Sequence, residues 1–250
     1  MSLTRWVQEP SGESPLAAGV PSLPNLEVVY LTDPEALAEV LPPPLSAPAQ
    51  PRVHVRITDI DLIFGEHRHK ELVGYFAVDA VLDDEPGEYP LLIPIDLESA
   101  VSISRERFGE PKKLAGITLT RDPGGRVHGT VTRQGVTFIE INGRITGDLP
   151  VPEPYPARQF WFKFMPAVDG TGFDGDPLLV RMEQVRKPER VESIDGELIL
   201  RELAGCPVVD LPVRQLVSVQ WVRRSSDSKP KVVGPVDPAA FARHAPVRYR

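Results

Sequence analysis

From Arg52 onward the chain alternates between apolar Val53, Val55, Ile57 and polar Arg52, His54, Arg56. That is the period of a strand with one buried face. Residues 60–64 prolong it, and residues 26–31, 72–82, 161–165, 178–185, 196–202 and 216–222 have the same strand character. Residues 115–120, 126–133 and 136–145 predict an antiparallel meander, turning at Asp122-Pro123-Gly124-Gly125 and at Gln134-Gly135. Asp83-Asp84-Glu85-Pro86-Gly87 and residues 169–176 are turns by composition. Residues 89–95 hold too much proline for a central strand unless bulged. Helices are few and short. Thr32-Asp33-Pro34-Glu35 supplies a cap and a first-turn proline, residues 36–41 continue that helix, and Pro42-Pro43-Pro44 stops it. A second helix is expected over 97–108. With no βαβ alternation a parallel sheet is disfavoured, and 28 prolines and 19 glycines favour short strands joined by turns. The pattern predicts one mainly β (α+β) antiparallel domain over 26–250, closed or strongly coiled. An extended arm rich in Pro, Ser and Gly precedes it over 1–25.

Composition adds limits rather than identity. A chain of 250 residues with 41% apolar and 25% charged residues is ample for a sizeable core. A net charge of -7 with no basic face argues against nucleic acid as a partner. Cys206, the sole cysteine, allows no intrachain disulfide and no paired-cysteine metal site. Leu3-Thr4-Arg5-Trp6-Val7 is quickly followed by Gln8-Glu9-Pro10, unlike a secretion signal. No apolar run approaches the ~20 residues that span a bilayer. A cytoplasmic protein without membrane contact is the expectation.

Several groupings of reactive residues have ordinary explanations. Glu66-His67-Arg68-His69-Lys70-Glu71 places two histidines two apart, as metal ligands can be, yet reads better as a solvated charged loop. Asp59 and Asp61 share a strand face and fit a polar edge better than an acid–base pair. Trp161, Phe162 and Phe164 suit core packing. Neither Gly-x-Ser-x-Gly nor Gly-x-Gly-x-x-Gly occurs. What remains is Ser104-Arg105-Glu106-Arg107-Phe108-Gly109-Glu110-Pro111-Lys112-Lys113-Leu114-Ala115, two lysines pinned behind a proline. A free lysine titrates near ~10.4 and is rarely a nucleophile at neutral pH. Burial or a neighbouring cation activates it, a like charge at ~4 Å and effective dielectric ~20 being worth roughly 4 kcal/mol. Most such pairs are nevertheless solvated charge.

Arg-Glu, a short spacer and Pro-Lys-Lys-Leu resemble the acetoacetate decarboxylase family. So do, in order, Val28-Val29-Tyr30-Leu31-Thr32-Asp33-Pro34-Glu35-Ala36-Leu37, Leu41-Pro42-Pro43-Pro44-Leu45, Phe164-Met165-Pro166-Ala167-Val168-Asp169-Gly170 and Asp210-Leu211-Pro212-Val213. That family is itself the standard example of a lysine activated by desolvation or a nearby cation. The resemblance implies a cone-shaped antiparallel β-barrel, a large homo-oligomer, and a small-molecule keto acid as partner. It implies no metal or organic cofactor, because a lysine iminium is the electron sink. Lys112 falls at the Schiff-base position, Lys113 at the supporting one, and Glu71 at a pocket glutamate suited to shuttle a proton. Decarboxylation of a β-keto acid is the activity implied. Aldol or dehydration chemistry on a pyruvate-like substrate, and a non-catalytic ligand-binding barrel, are the alternatives.

Three positions depart from the family pattern. Leu23 stands where an arginine is usual, Arg56 or its neighbour Val55 stands where a second glutamate is usual, and Glu110 replaces an aromatic. Arg56 is therefore a candidate to receive the substrate carboxylate, with Arg105 as a further one. Glu110 either faces the pocket and favours the ammonium form of Lys112, or turns away to Arg105 or Arg107. On an extended strand the two lysines point to opposite faces. Burial, rather than Lys113, is then expected to activate Lys112.

Overall fold

The structure, a computed structural model, describes residues 20–64 and 67–249, the side chains of 62–64 and 67–69 excepted. Eleven strands form one sheet: β1 (Val20–Leu31), β2 (Arg52–Phe64), β3 (His67–Leu82), β4 (Glu85–Ile95), β5 (Lys112–Leu114), β6 (Gly116–Arg121), β7 (Arg126–Arg133), β8 (Val136–Leu149), β9 (Tyr155–Lys163), β10 (Leu178–Leu200) and β11 (Gln215–Pro235). Neighbours run β11-β1-β2-β3-β4-β9-β10, and β10 pairs again with β11, so seven strands close on themselves. The closure is continuous, because Ser226 of β11 faces Val20 on one side and Arg186 on the other. The meander β8-β7-β6 branches from β10, and β5 attaches to β4.

The mainly β class expected from the alternation is found, with pairing antiparallel except at β4–β5 and β4–β9. Gln134 (φ 51) and Gly135 (φ 80) make the second meander turn, two positive-φ residues matching the strand twist. Strand β1 starts at Val20 rather than Leu26, drawn in by pairing with β11. Residues 85–95 form an interior strand despite Pro86, Pro90 and Pro94. The ladder to β3 breaks register between Phe76 and Ala77, the bulge that this proline content requires. The charged stretch expected as a loop instead opens β3 from His67, paired with β2 through Glu71 opposite Ile60. Strand pairing overrides its polarity. Gly65 and Glu66, and the side chains of the two histidines, lie outside the described residues, as do residues 1–19 of the expected arm.

Two of the helices among the described residues bear on the site. In α1 (Pro34–Val40) Asp33 makes no side-chain cap. Its carboxylate accepts two bonds of 2.7 Å from Arg214 instead. Helix α2 (Glu98–Phe108) ends at Gly109, which is left-handed (φ 79) and returns its amide to Arg105. A Cβ there would sit 2.4 Å from the Phe162 carbonyl oxygen, so the turn leading to Lys112 requires glycine.

The sheet has two unlike faces. One buries the main core, including Leu26, Tyr30, Ile57, Phe76, Phe138 and Phe162. The other carries a small apolar cluster of Tyr75, Ala77 and Ile93 beside buried charges. The aromatic run at 161–164 is core as expected: Phe162 stacks on Phe241 with centroids 4.8 Å apart, and Trp161 packs with Phe108, Val180 and Met182.

Candidate active site

Strand β5 sets the two lysines apart. It runs parallel to β4, with Lys112 beside Ile93 and Lys113 beside Pro94. Alternation sends their side chains to opposite faces, as a strand must. Lys112 shares the face of Ile93, Tyr75 and Arg56, since Arg56 pairs with Tyr75 and Tyr75 packs on Ile93. Four adjacent strands thus carry a row from Arg56 to Lys112, three strand steps or roughly 14 Å between Cα atoms.

The Lys112 amine lies 3.0 Å from Ser104 Oγ of α2 and 3.2 Å from Glu110 Oε2. Both side chains of that ion pair are largely buried, at 13% and 14% exposure. The contact with Glu110 is one of charge, because Oε2 is buried without an aligned hydrogen bond. Of the two orientations open to Glu110, the structure shows the one turned toward Lys112. Arg105 lies over the Tyr249 ring at 5.0 Å and lines a separate hollow with Phe164 and Met165. Arg107 packs on Phe108.

Lys113 is more deeply buried, at 5% exposure. Its amine donates to the carbonyls of Gly205 (2.6 Å) and Val247 (2.8 Å). Burial lowers its pKa below the ordinary lysine value, with Cys206 opposing and Arg133 and Arg105 adding to the effect. The expected pairing of roles, Lys112 desolvated and Lys113 set elsewhere, is therefore not what burial alone describes. Lys113 is the more desolvated amine, and Lys112 is the one with a carboxylate and a hydroxyl at hand.

Inside the circuit, a cavity of about 200 Å³ is lined by Leu23, Arg56, Tyr75, Gln159, Arg186 and Arg224, among others. Arg56 pairs with Glu88, lies 3.7 Å from Glu27, and stacks over the Tyr75 ring at 4.2 Å. Arg186 donates to Glu88 (3.0 Å), as does the Tyr75 hydroxyl (2.7 Å), which itself accepts from Gln159 (3.0 Å). Arg224 holds Glu27 at 2.5 Å. Burial by itself would raise the pKa of Glu88, but Arg186 and Arg56 outweigh it and hold the carboxyl well below its usual range. Glu27 is lowered in the same way, chiefly by Arg224 and Arg56. Burial pushes the Tyr75 hydroxyl up, so it stays a donor. Three guanidiniums against two carboxylates leave this cluster one positive charge in excess.

Of the residues singled out in the sequence, Leu23, Arg56, Glu71, Glu110 and Lys112 gather on or beside this inner face. Glu71 is buried and pairs with Ile60, a wall of the cavity. Arg105 and Lys113 lie away from it. Asp59 and Asp61 share a β2 face opposite Leu72 and Lys70. Sequence reasoning missed Ser104, Glu88, Arg186 and Arg224. Register supplies the signal for the last: Arg224 is the cross-strand partner of Leu23, so the position facing a lost arginine carries one.

A closed circuit of mostly antiparallel strands, with Lys112 and Lys113 on opposite faces of the short strand β5 attached to it, defines the class of protein: a β-barrel with a charged interior. A family model described as acetoacetate decarboxylase matches residues 7–233, and the chain belongs to that family. An acetoacetate decarboxylase of Burkholderia cenocepacia is 29% identical over 208 residues, covering 78% of this chain and 79% of its own. That of Streptomyces nogalater is 30% identical over 205 residues, covering 79% and 80%. Among solved structures, an acetoacetate decarboxylase superposes with a TM-score of 0.74 at 21% identity, covering 86% of this chain and 88% of its own. The enduracididine biosynthesis enzyme MppR complexed with pyruvate gives 0.72 at 16% identity, covering 86% and 89%. At such identities these two structures speak to the fold.

Proposed function

We propose that the chain is a Schiff-base enzyme of small keto acids, with Lys112 as nucleophile and no cofactor. The observation that carries this reading is the Lys112 amine held between Ser104 Oγ and Glu110 Oε2 on the inner face. Glu110 takes a proton from the ammonium, freeing the lone pair to attack the ketone. Addition followed by loss of water gives an iminium. In a β-keto acid the C–C bond to the carboxylate then breaks, its electrons pass into the iminium, and carbon dioxide leaves an enamine. Protonation at carbon and hydrolysis return the ketone and the free amine. Glu71, buried on the same face, is the group assigned to that carbon protonation.

The excess positive charge around Arg56, Arg186 and Arg224 supports binding of a carboxylate from the far end of the row. Arg56 is the receptor expected from the swapped charge, although Glu88 already engages it. Unchanged keto-acid affinity in Arg56→Ala would remove it from the site. Exposed Ile103 and Leu114, at either end of the segment carrying Lys112, suit a homo-oligomer, to be checked by light scattering. Borohydride reduction with acetoacetate or pyruvate, followed by mass spectrometry, tests the chemistry. An acetoacetate adduct with carbon dioxide release supports decarboxylation, and a pyruvate adduct without it supports aldol or dehydration chemistry. No adduct with any keto acid would leave a non-catalytic binding barrel.

A further inference from the structure

The turn that aims Lys112 is fastened from outside the inner face. Helix α2 ends at Gly109, and only Glu110 and Pro111 separate that residue from Lys112. The Gly109 amide turns back to Arg105, while its carbonyl accepts a bond of 2.8 Å from Arg248 Nη2. The same nitrogen donates to the Phe162 carbonyl of β9 at 2.7 Å. One guanidinium nitrogen thus ties the turn to the barrel wall at its tightest approach, where a Cβ on Gly109 would meet Phe162. Arg248 is itself held in place. Its guanidinium lies 4.0 Å over the Phe164 ring, and the residue is buried. Burial pushes its pKa down to about 10, which leaves it charged at neutral pH.

The far side of Lys112 is tied to the same place. Lys113 donates to the carbonyl of Val247, the neighbour of Arg248 in the turn Pro246–Tyr249. Val247 also closes one side of a cavity of about 370 Å³ on the outer face of β5, which Lys113, Phe76, Leu91, Leu92 and Val208 help to line. The segment is therefore held at Gly109 and at Lys113, with Lys112 between them turned to the inner face. We propose that Arg248 is a positioning residue for Lys112, acting through the Gly109 carbonyl. It packs on Phe164 of the main core rather than on the inner face, so it acts without touching substrate. Without it, two carbonyls of buried residues lose a shared charged donor. The turn can then rock about Gly109 and carry the amine away from Ser104 and Glu110. A misplacement of ~1 Å at a reacting group can cost on the order of 10²-fold in rate. The consequence for catalysis rests on the Schiff-base reading, whereas the brace does not.

Arg248→Met and Arg248→Lys in the full chain test this with two readouts. Hydrogen exchange followed by mass spectrometry reads the brace without any keto acid. In Arg248→Met the amides of Gly109, Glu110 and Lys112 should exchange at least about tenfold faster, with the meander β6–β8 unchanged. Turnover of whichever keto acid the wild type traps, acetoacetate or pyruvate, reads the consequence. Its kcat should fall by about 10–10²-fold, with KM within about twofold. Arg248→Lys still brings one charged nitrogen toward the carbonyls, so it should recover part of both effects, and it carries the test if Arg248→Met does not fold. Arg243→Met removes a nearby exposed arginine paired with Glu39 and should change neither readout. Unchanged exchange at the Gly109 turn, or faster exchange with unchanged kcat, would overturn the assignment. A wild type that traps no keto acid would sink the Schiff-base reading by itself, and exchange would still show whether Arg248 holds the turn.

Discussion

The two faces of one three-residue strand show how differently a barrel can bury the same side chain. On the inner face Lys112 meets a carboxylate and a hydroxyl, in line with a cluster of paired charges. On the outer face Lys113 meets two carbonyls and an apolar cavity, and desolvation lowers its pKa. Burial makes an amine less charged, whereas a neighbouring acid gives its proton somewhere to go. A nucleophile that must lose and regain a proton each cycle needs the second arrangement as well as the first. That is why the less buried lysine is assigned the chemistry.

The largest expected effect is on Lys112 itself. Lys112→Met should lower keto-acid turnover and borohydride trapping by at least about 10³-fold, the usual scale for a lost covalent nucleophile. A Lys113→Met variant that falls as far would break the distinction between the faces.

Stability should separate the charged interior from the lysine pair. Glu88→Gln leaves Arg56 and Arg186 without their shared carboxylate, and a loss of about 3–5 kcal/mol is expected in urea denaturation. Glu110→Gln should cost less by the same measurement, because it breaks one ion pair where Glu88→Gln breaks two. The pH dependence follows from the same cluster. Glu27 and Glu88 are held below their ordinary value of 4.5. Their stabilisation is complete above that pH and lost as pH falls through their lowered folded-state values. The thermal midpoint should therefore drop in that acid range, and less steeply in Glu88→Gln.

Gly109→Ala should cost about 1–3 kcal/mol, through the left-handed φ and the approach to Phe162. It should also slow trapping more than a change elsewhere on α2 such as Glu98→Ala, because the Gly109 turn aims Lys112. The smallest effect expected is at Glu110. In Glu110→Gln the trapping rate at neutral pH should fall, by less than in Lys112→Met, since the group that takes the ammonium's proton is gone. An unchanged rate would take Glu110 out of the mechanism.

Alternation in the sequence was enough to read β2, the meander and the opposed lysines, because each is a local consequence of strand periodicity. Long-range pairing was not legible. The 23-residue strand β10 contains Arg186, Lys187, Pro188, Glu189 and Arg190, a polar stretch that looks like a loop until β11 pairs with it. The charges at Glu88, Arg186 and Arg224 were hidden for the same reason. Each looks like surface until the circuit closes around it. The cavity at Lys113 depends on residues 205–211 and the C-terminus folding back over β5, which no spacing along the chain encodes.

The most direct measurement is peptide mapping of the protein after borohydride reduction with a bound keto acid. The account predicts a reduced adduct on Lys112, with Lys113 unmodified and the adduct lost in Lys112→Met. An adduct on Lys113 instead would assign the chemistry to the outer cavity and contradict the division of roles between the two faces.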